Sequence, residues 1–353
     1  MSAKIRAGLV GVTGYTGMEL ARILAFHPQI SLTVATSRSE AGKAVRSLYP
    51  SLLGMEPGDI TITEPDPAQL ARECDVVFLA IPHGAAMEMG ASLVEHGVRV
   101  VDLSADYRIR DKKTYEDWYK VEHTRPEYLS KAVYGLPELY GPQVAKAKLV
   151  ANPGCYPTAS ILGLYPALKN KFIENDGIVI DAKSGATGAG RGAKVGMLYC
   201  EVADSFRPYG IGTHRHTPEI EQELADIAGI ENMRISFNPH LLPINRGILA
   251  TIYGVVRKKG LSVSDLRRVY LAEYGKHPFV RVLPEGQLPD LKNVRGTMFC
   301  DIGIVLDQRT GRVVILSAID NLCRGASGQA VANANLMFGL PLATGLQFAP
   351  LAP

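Results

Sequence analysis

Cysteine is sparse in this sequence. Its five cysteines, Cys74, Cys155, Cys200, Cys300 and Cys323, are odd in number and widely scattered. They offer neither a disulfide framework nor a CxxC metal clip, and a reducing cytoplasm is the expected setting. Charge of one sign is lacking too: 38 Lys and Arg against 35 Asp and Glu leave +3. That balance excludes an argument for nucleic acid or an anionic membrane surface. No apolar run approaches the roughly 20 residues of a membrane-spanning helix. The opening MSAKIRAGLV leads into a strand pattern instead of a signal peptide. Internal repeats, low-complexity tracts and charge blocks are absent as well.

What is present is an ordinary globular composition, 46% hydrophobic and 21% charged over 353 residues. That length suits about two domains. The first half alternates buried-strand runs (Ile5–Val10, Leu32–Thr36, Val76–Ile81, Val98–Leu103, Leu149–Ala151) with helical spacing at Thr16–Phe26 and Ala85–His96. Parallel strands need crossover helices, so this half predicts an open α/β doubly wound sheet. The second half holds long β runs at Ile178–Lys183, Met233–Asn238, Leu249–Val256, Met298–Leu306 and Val313–Ile319. Gln308-Arg309-Thr310-Gly311 reads as a hairpin turn between the last two, which predicts antiparallel pairing in an α+β domain. Gly325–Phe338 has helical character with small residues, and it is expected to return to the first domain. The predicted domains are residues 1–154 with a C-terminal helical segment 324–353, and residues 155–323.

Strand Ile5–Val10 runs into Gly11-Val12-Thr13-Gly14-Tyr15-Thr16-Gly17, a G-x-x-G-x-x-G variant of the dinucleotide fingerprint. Gly11 can turn sharply, Gly14 admits a pyrophosphate to the backbone, and Gly17 lets helix and strand approach closely. The helix N-terminus supplies N–H groups for the phosphates. The competing reading is a glycine-rich turn without ligand. The second strand ends Ala35-Thr36-Ser37-Arg38-Ser39, with no carboxylate before Glu40. Hydroxyls beside a guanidinium suit a 2′-phosphate, so NADP is favoured over NAD. Ser37 and Arg38 as a merely solvated loop is the alternative.

Asn152-Pro153-Gly154-Cys155-Tyr156-Pro157-Thr158 follows the last strand of the first half, with Pro157 read at the first position of a helix. A thiol beside a helix N-terminus gains thiolate character, which makes Cys155 the candidate nucleophile. The other four cysteines read as packing residues. Six of the eight histidines are isolated. The exception is Thr213-His214-Arg215-His216-Thr217-Pro218-Glu219, ahead of a helix with Thr217 as its expected cap. His216 at the mouth of that helix is the candidate acid/base. Metal binding by H-x-H lacks a third ligand nearby. After strand four, Ser104 and Arg108 are candidates for an anionic substrate group, with pairing of Arg108 to Asp106 or Asp102 as the alternative. The loop Ser184-Gly185-Ala186-Thr187-Gly188-Ala189-Gly190-Arg191 offers room for a flat ring or ribose, or else is a mobile surface loop.

The stretches GVTGYTG, FLAIPHG, VDLSADYR, ANPGCYPT, KSGATGAGR, HRHTPEI and IDNLCRGASGQAVANANLMFG together resemble the N-acetyl-γ-glutamyl-phosphate reductases, the arginine-biosynthesis members of the semialdehyde dehydrogenase group. The resemblance spans essentially the whole chain; Tyr107 stands where Phe is expected in SADFR. It implies a Rossmann-type NADP domain plus an α+β domain whose large mixed sheet serves catalysis and oligomerisation, as a homodimer or homotetramer. It implies NADPH-dependent reduction of a small acyl phosphate to a semialdehyde, through a thioester on Cys155. It makes His216 the catalytic histidine, with His214 as fallback and substrate contact. The cofactor contacts it implies are Gly11, Thr13, Gly14, Tyr15, Thr16, Gly17, Ser37, Arg38, Pro82, Ser184, Gly185 and Asn321; Pro82 and Asn321 rest on resemblance alone. Rival readings are aspartate-semialdehyde dehydrogenase or a lysine-pathway acyl-phosphate reductase, a thiol hydrolase, and a non-catalytic NADP sensor.

Overall fold

In the computed structural model, which describes residues 3–258 and 260–351, the chain divides into two units. One comprises residues 3–153 and Ala326–Gln347; the other comprises Gly154–Gly325 and residues 348–351. The first is built on β1 (Ile5–Val10), β2 (Ile30–Thr36), β3 (Val76–Leu79), β4 (Arg99–Asp102), β5 (Val133–Tyr134) and β6 (Leu149–Ala151). Every pairing is parallel, in the order β2-β1-β3-β4-β6-β5. All four residues of β3 are buried, as expected when helices cover both faces of a parallel sheet. The order reverses between β1 and β3, and the crevice outside the carboxyl ends at such a switch point is where α/β sheets bind ligands.

The expected helices are present with shifted ends, at Tyr15–Leu24 and Met87–Glu95. The helical stretch expected over Gly325–Phe338 is shorter than foreseen: Gly328–Met337 is α-helical, preceded by a π-helical turn at Cys323–Ser327. Its asparagines satisfy buried partners. Asn333 Nδ2 donates to the Gly135 carbonyl (2.9 Å) and to Asn152 Oδ1 (3.0 Å), while Asn335 Nδ2 donates to the Leu342 and Thr344 carbonyls. Ser327 Oγ donates to the Thr16 carbonyl at 2.8 Å, which ties this helix to the first turn of Tyr15–Leu24.

The second unit holds a seven-stranded mixed sheet of β7 (Ile178–Gly185), β8 (Arg207–Pro208), β9 (Ile235–Leu242), β10 (Ile248–Val255), β11 (Val280–Val282), β12 (Cys300–Asp307) and β13 (Arg312–Ile319). The order is β11-β12-β13-β10-β7-β9-β8, and β12 and β13 pair antiparallel across the Gln308–Gly311 turn. Side chains on β10 alternate: Ile248, Ala250 and Ile252 are buried while Leu249, Thr251 and Tyr253 remain half exposed. The buried row meets the helix Cys155–Lys169. A Cβ on Gly163 would come within 2.9 Å of Ile252 Cδ1, so glycine permits that close approach. A second helix, Val263–Tyr274, fixes the first through Tyr270 and Tyr274, whose hydroxyls donate to the Gly163 and Leu162 carbonyls, each at 2.6 Å.

Candidate active site

Three strand ends of the first unit shape a cleft of about 430 Å³ at the switch point. From β1 come Gly11, Thr13 and Gly14; from β2 come Ser37 and Arg38; from β3 come Ala80, Ile81 and Pro82. The three glycines do different work. Gly11 adopts φ +93, and a Cβ there would strike the Ala80 carbonyl oxygen at 2.3 Å. A Cβ on Gly17 would lie 2.3 Å from the Gly11 carbonyl oxygen, so the helix packs directly on the turn. Gly14 has nothing nearer than 3.9 Å, so a side chain there would take up open cleft. Tyr15 and Thr16 begin the helix and do not line the cleft. Ser37 is buried and Arg38 exposed, with the Ser37 and Ser39 hydroxyls 3.4 Å apart. Ser39 and Pro65 also line the cleft; Ser39, Ala80 and Pro65 lie outside the cofactor contacts expected from the sequence. The switch-point rule applied to the ends of β2 and β3 would have found the first two.

Ser104 and Arg108 turn inward. Ser104 Oγ donates to Asp102 Oδ2 at 2.7 Å, and Arg108 donates from Nε to the Asn152 carbonyl and from Nη2 to the Leu103 carbonyl, both at 2.7 Å. Only 5% of Arg108 is exposed, and in this structure both side chains brace the loop after β4. Asp106 in the same loop accepts the Gly84 and Ala86 N–H groups and the Tyr115 hydroxyl. Burial, then the nearby charge of Asp106, pushes the Asp102 carboxyl up to about 7.

In the second unit, Cys155 is the first residue of the helix Cys155–Lys169, with Gly154 as its extended N-cap; Pro157 is third rather than first. Cys155 is half buried, while Cys74, Cys300 and Cys323 are buried. Cys200 departs from the packing role expected of it: the short helix Tyr199–Val202 leaves it exposed. The helix that follows the histidines begins at Thr217, so His216 itself holds the cap position assigned to Thr217, and Pro218 is second.

Tyr156 joins these two helix starts. Its ring lies edge-on to those of His214 (5.6 Å), His216 (6.0 Å) and Phe237 (5.2 Å), and its hydroxyl is 2.8 Å from that of Tyr209. Burial pushes the Tyr156 phenol well above its ordinary range and Tyr209 up to about 12. Cys155 adds a smaller upward effect on each. Tyr156 lies outside the candidates drawn from the sequence, where its position directly after the candidate nucleophile Cys155 was the available signal.

The two histidines are not equivalent. Burial first, and the charge of Arg215 second, push His214 down to about 4. Its Nδ1 accepts the His216 backbone N–H at 3.1 Å. His214 is therefore neutral around pH 7 and anchors the turn, which leaves His216 as the candidate proton carrier. Ser184, Gly185 and Asn321 gather around Gly247. Gly185 N–H donates to the Gly247 carbonyl (2.9 Å), Asn321 Oδ1 accepts the Gly247 N–H (2.7 Å), and Asn321 Nδ2 donates to Thr187 Oγ1 (2.9 Å). Ser184 Oγ donates to the Gly185 carbonyl at 3.0 Å. Among the described residues no group of three or more His, Cys, Asp or Glu could hold a metal, and no helix is long and apolar enough to cross a membrane.

Comparison with known proteins agrees with this layout. The family model of the semialdehyde dehydrogenase NAD-binding domain matches residues 6–147, and that of the semialdehyde dehydrogenase dimerisation domain matches residues 155–321. The N-acetyl-gamma-glutamyl-phosphate reductase of Citrifermentans bemidjiense is 54% identical, covering 99% of this chain and 100% of its own. That of Geobacter sulfurreducens is 53% identical with the same coverage. Among solved structures, aspartate semialdehyde dehydrogenase II from Vibrio cholerae superposes with a TM-score of 0.72 at 14% identity, over 95% of this chain and 99% of that one. Aspartate semialdehyde dehydrogenase with NADP from Candida albicans gives 0.65 at 20% identity, over 95% and 99%. At such identities the structures speak for the fold alone.

Proposed function

The chain belongs to the semialdehyde dehydrogenase family, within it to the N-acetyl-γ-glutamyl-phosphate reductases, and on that premise we propose that it reduces N-acetyl-γ-glutamyl phosphate with NADPH to N-acetyl-L-glutamate 5-semialdehyde and phosphate. The observation that carries the reading is the convergence on Tyr156: one aromatic ring touches both histidines and is the covalent neighbour of Cys155. Identity of 54% over the whole chain to a reductase of this kind supports it over the aspartate-semialdehyde enzymes, whose solved structures match at 14–20%.

The first unit fits a dinucleotide. Gly14 leaves open the space a Cβ would fill at a helix N-terminus, where backbone N–H groups suit phosphate. Ser37 and Arg38 on the cleft wall suit a 2′-phosphate, which favours NADP(H). When bound, this cofactor supplies the hydride that reduces the acyl carbon. The chain's own residues do the rest. Cys155 Sγ attacks the acyl carbon, the C–S bond forms, and the C–O bond to phosphate breaks, leaving a thioester. His216 takes the thiol proton and later returns one to sulfur as the aldehyde leaves. The first turn of the helix Cys155–Lys169 carries backbone N–H groups of the kind that stabilise an oxyanion, which supports a role for this turn in the acyl-transfer step.

Assembly as a homodimer or homotetramer through the second unit belongs to the same reading, supported by the half-exposed face of the mixed sheet at Leu249, Thr251 and Tyr253. A nucleophilic thiol also suits a reducing, cytoplasmic setting. The test is phosphate-dependent NADP reduction by purified enzyme with N-acetylglutamate semialdehyde and with aspartate semialdehyde. Preference for the second aldehyde overturns the substrate assignment. Cys155→Ala should abolish turnover and leave the Kd for NADPH within about threefold; retained turnover removes the thioester.

A further inference from the structure

Glu219 is the third residue of the helix Thr217–Ala228, and its side chain is fully buried. Its Oε1 accepts the backbone N–H of Gly154 at 2.8 Å, across 65 residues of chain. Gly154 is the residue from which the helix Cys155–Lys169 starts. The bond thus fastens the peptide immediately before the nucleophile to the first turn of the helix that follows His216. Burying a carboxylate costs several kcal/mol unless donors meet it, and a charged acceptor makes a short, directional bond with an N–H. A fully buried carboxylate that accepts a backbone N–H from a distant part of the chain fixes the position of that peptide.

We propose that Glu219 is a positioning residue for the reaction: by holding the Gly154 N–H it sets where Cys155 presents its sulfur relative to His216. The proposal rests on the assignment of those two residues under Proposed function. It separates two properties of the side chain, reach and charge. Glutamine keeps the reach and an acceptor oxygen but loses the charge. Aspartate keeps the charge but is one methylene too short to meet Gly154. Positioning predicts that Glu219→Gln stays within about fivefold of wild-type kcat, whereas Glu219→Asp falls by about 100-fold, the scale of a 1 Å misplacement. KM should change less than threefold in both.

The measurements are steady-state kinetics of the full-length enzyme with NADPH, and the rate at which iodoacetamide alkylates Cys155 without substrate. Thermal melting confirms that each variant is folded. If Glu219→Asp does not fold, Glu219→Ala takes its place against Glu219→Gln. Expected is a kcat order of wild type, then Gln, then Asp, with the alkylation rate altered in Asp and not in Gln. Asp equal to or faster than Gln would show that charge matters and overturn the proposal, as would full kcat in both with only a lowered melting temperature. A wild-type chain without turnover on the acyl phosphate defeats the functional reading instead. The ratio of alkylation rates then still decides the role of Glu219.

Discussion

Gly325 and Cys155 stand so close that a Cβ on the glycine would lie 2.7 Å from the Cβ of the cysteine and 3.1 Å from its Cα. Real Cβ atoms do not approach that closely, and Ile319 Cδ1 is only 3.4 Å away. Gly325→Ala should therefore push Cys155 aside. Overpacking of this kind costs about 1–3 kcal/mol. The expected result is a lower melting temperature together with a tenfold or larger drop in kcat and little change in the Kd for NADPH. Wild-type kcat in the folded variant would show that the cysteine has room to spare.

The two histidines hold different places, His216 at the cap of the helix Thr217–Ala228 and His214 under its backbone N–H, and substitution should affect them differently. His216→Asn should lower kcat by roughly 10²–10⁴, the usual share of a proton-transferring side chain. His214→Phe removes the ring that accepts the His216 N–H, so it should lower kcat moderately while leaving the shape of the pH–rate profile unchanged. The reason is that His214, held down to about 4, does not titrate near neutrality. Its lowered value also fixes a sign: the neutral ring is favoured in the folded state, so this stability is present above the unfolded value of 6.5 and is lost as pH falls through about 4. Loss of the neutral-range limb in His214→Phe would reverse the assignment of roles.

Arg38 is exposed on the wall of the cleft beside buried Ser37. Arg38→Ala should weaken NADPH by roughly tenfold or more and NADH hardly at all, because a charge-assisted bond contributes about 1.5–3 kcal/mol only where the phosphate is present. Fluorescence titration with both nucleotides checks this. Equal weakening would take Arg38 out of contact with the 2′-phosphate.

Asp102 titrates at about 7 because it is buried beside Asp106. Its folded value lies above the unfolded 3.8, so the folded state holds the proton more tightly. Stability from this group is full below about pH 4 and is lost as pH rises through about 7. Asp102→Asn should flatten the dependence of melting temperature on pH across that window, with the largest relative gain at pH 8. A curve still parallel to wild type would move the effect to another carboxyl.

Much of the first unit was legible because its signals are local. A run such as VVFL at 76–79, opened by Asp75, and glycines at fixed offsets after β1 each state their structure within a few residues of chain. The pair Val133–Tyr134 was not legible, since two residues carry no period. Nor was the start of the cysteine helix: Pro157 marked a first position, yet Gly154 in extended conformation lets the helix begin at Cys155.

By itself, then, the order of residues determined the doubly wound half, the glycine turn, and the candidate residues of NPGCYPT and HRHTPE. Spacing along the chain is all that helix and strand periodicity, capping and tight turns require. Only the tertiary structure decided which polar groups are buried in the scaffold and which remain accessible. It turned Ser104 and Arg108 inward, set His214 apart from His216, and brought Glu219 to Gly154 and Gly325 to Cys155. Burial and long-range hydrogen bonding make those distinctions, and both depend on neighbours that lie tens of residues away in sequence.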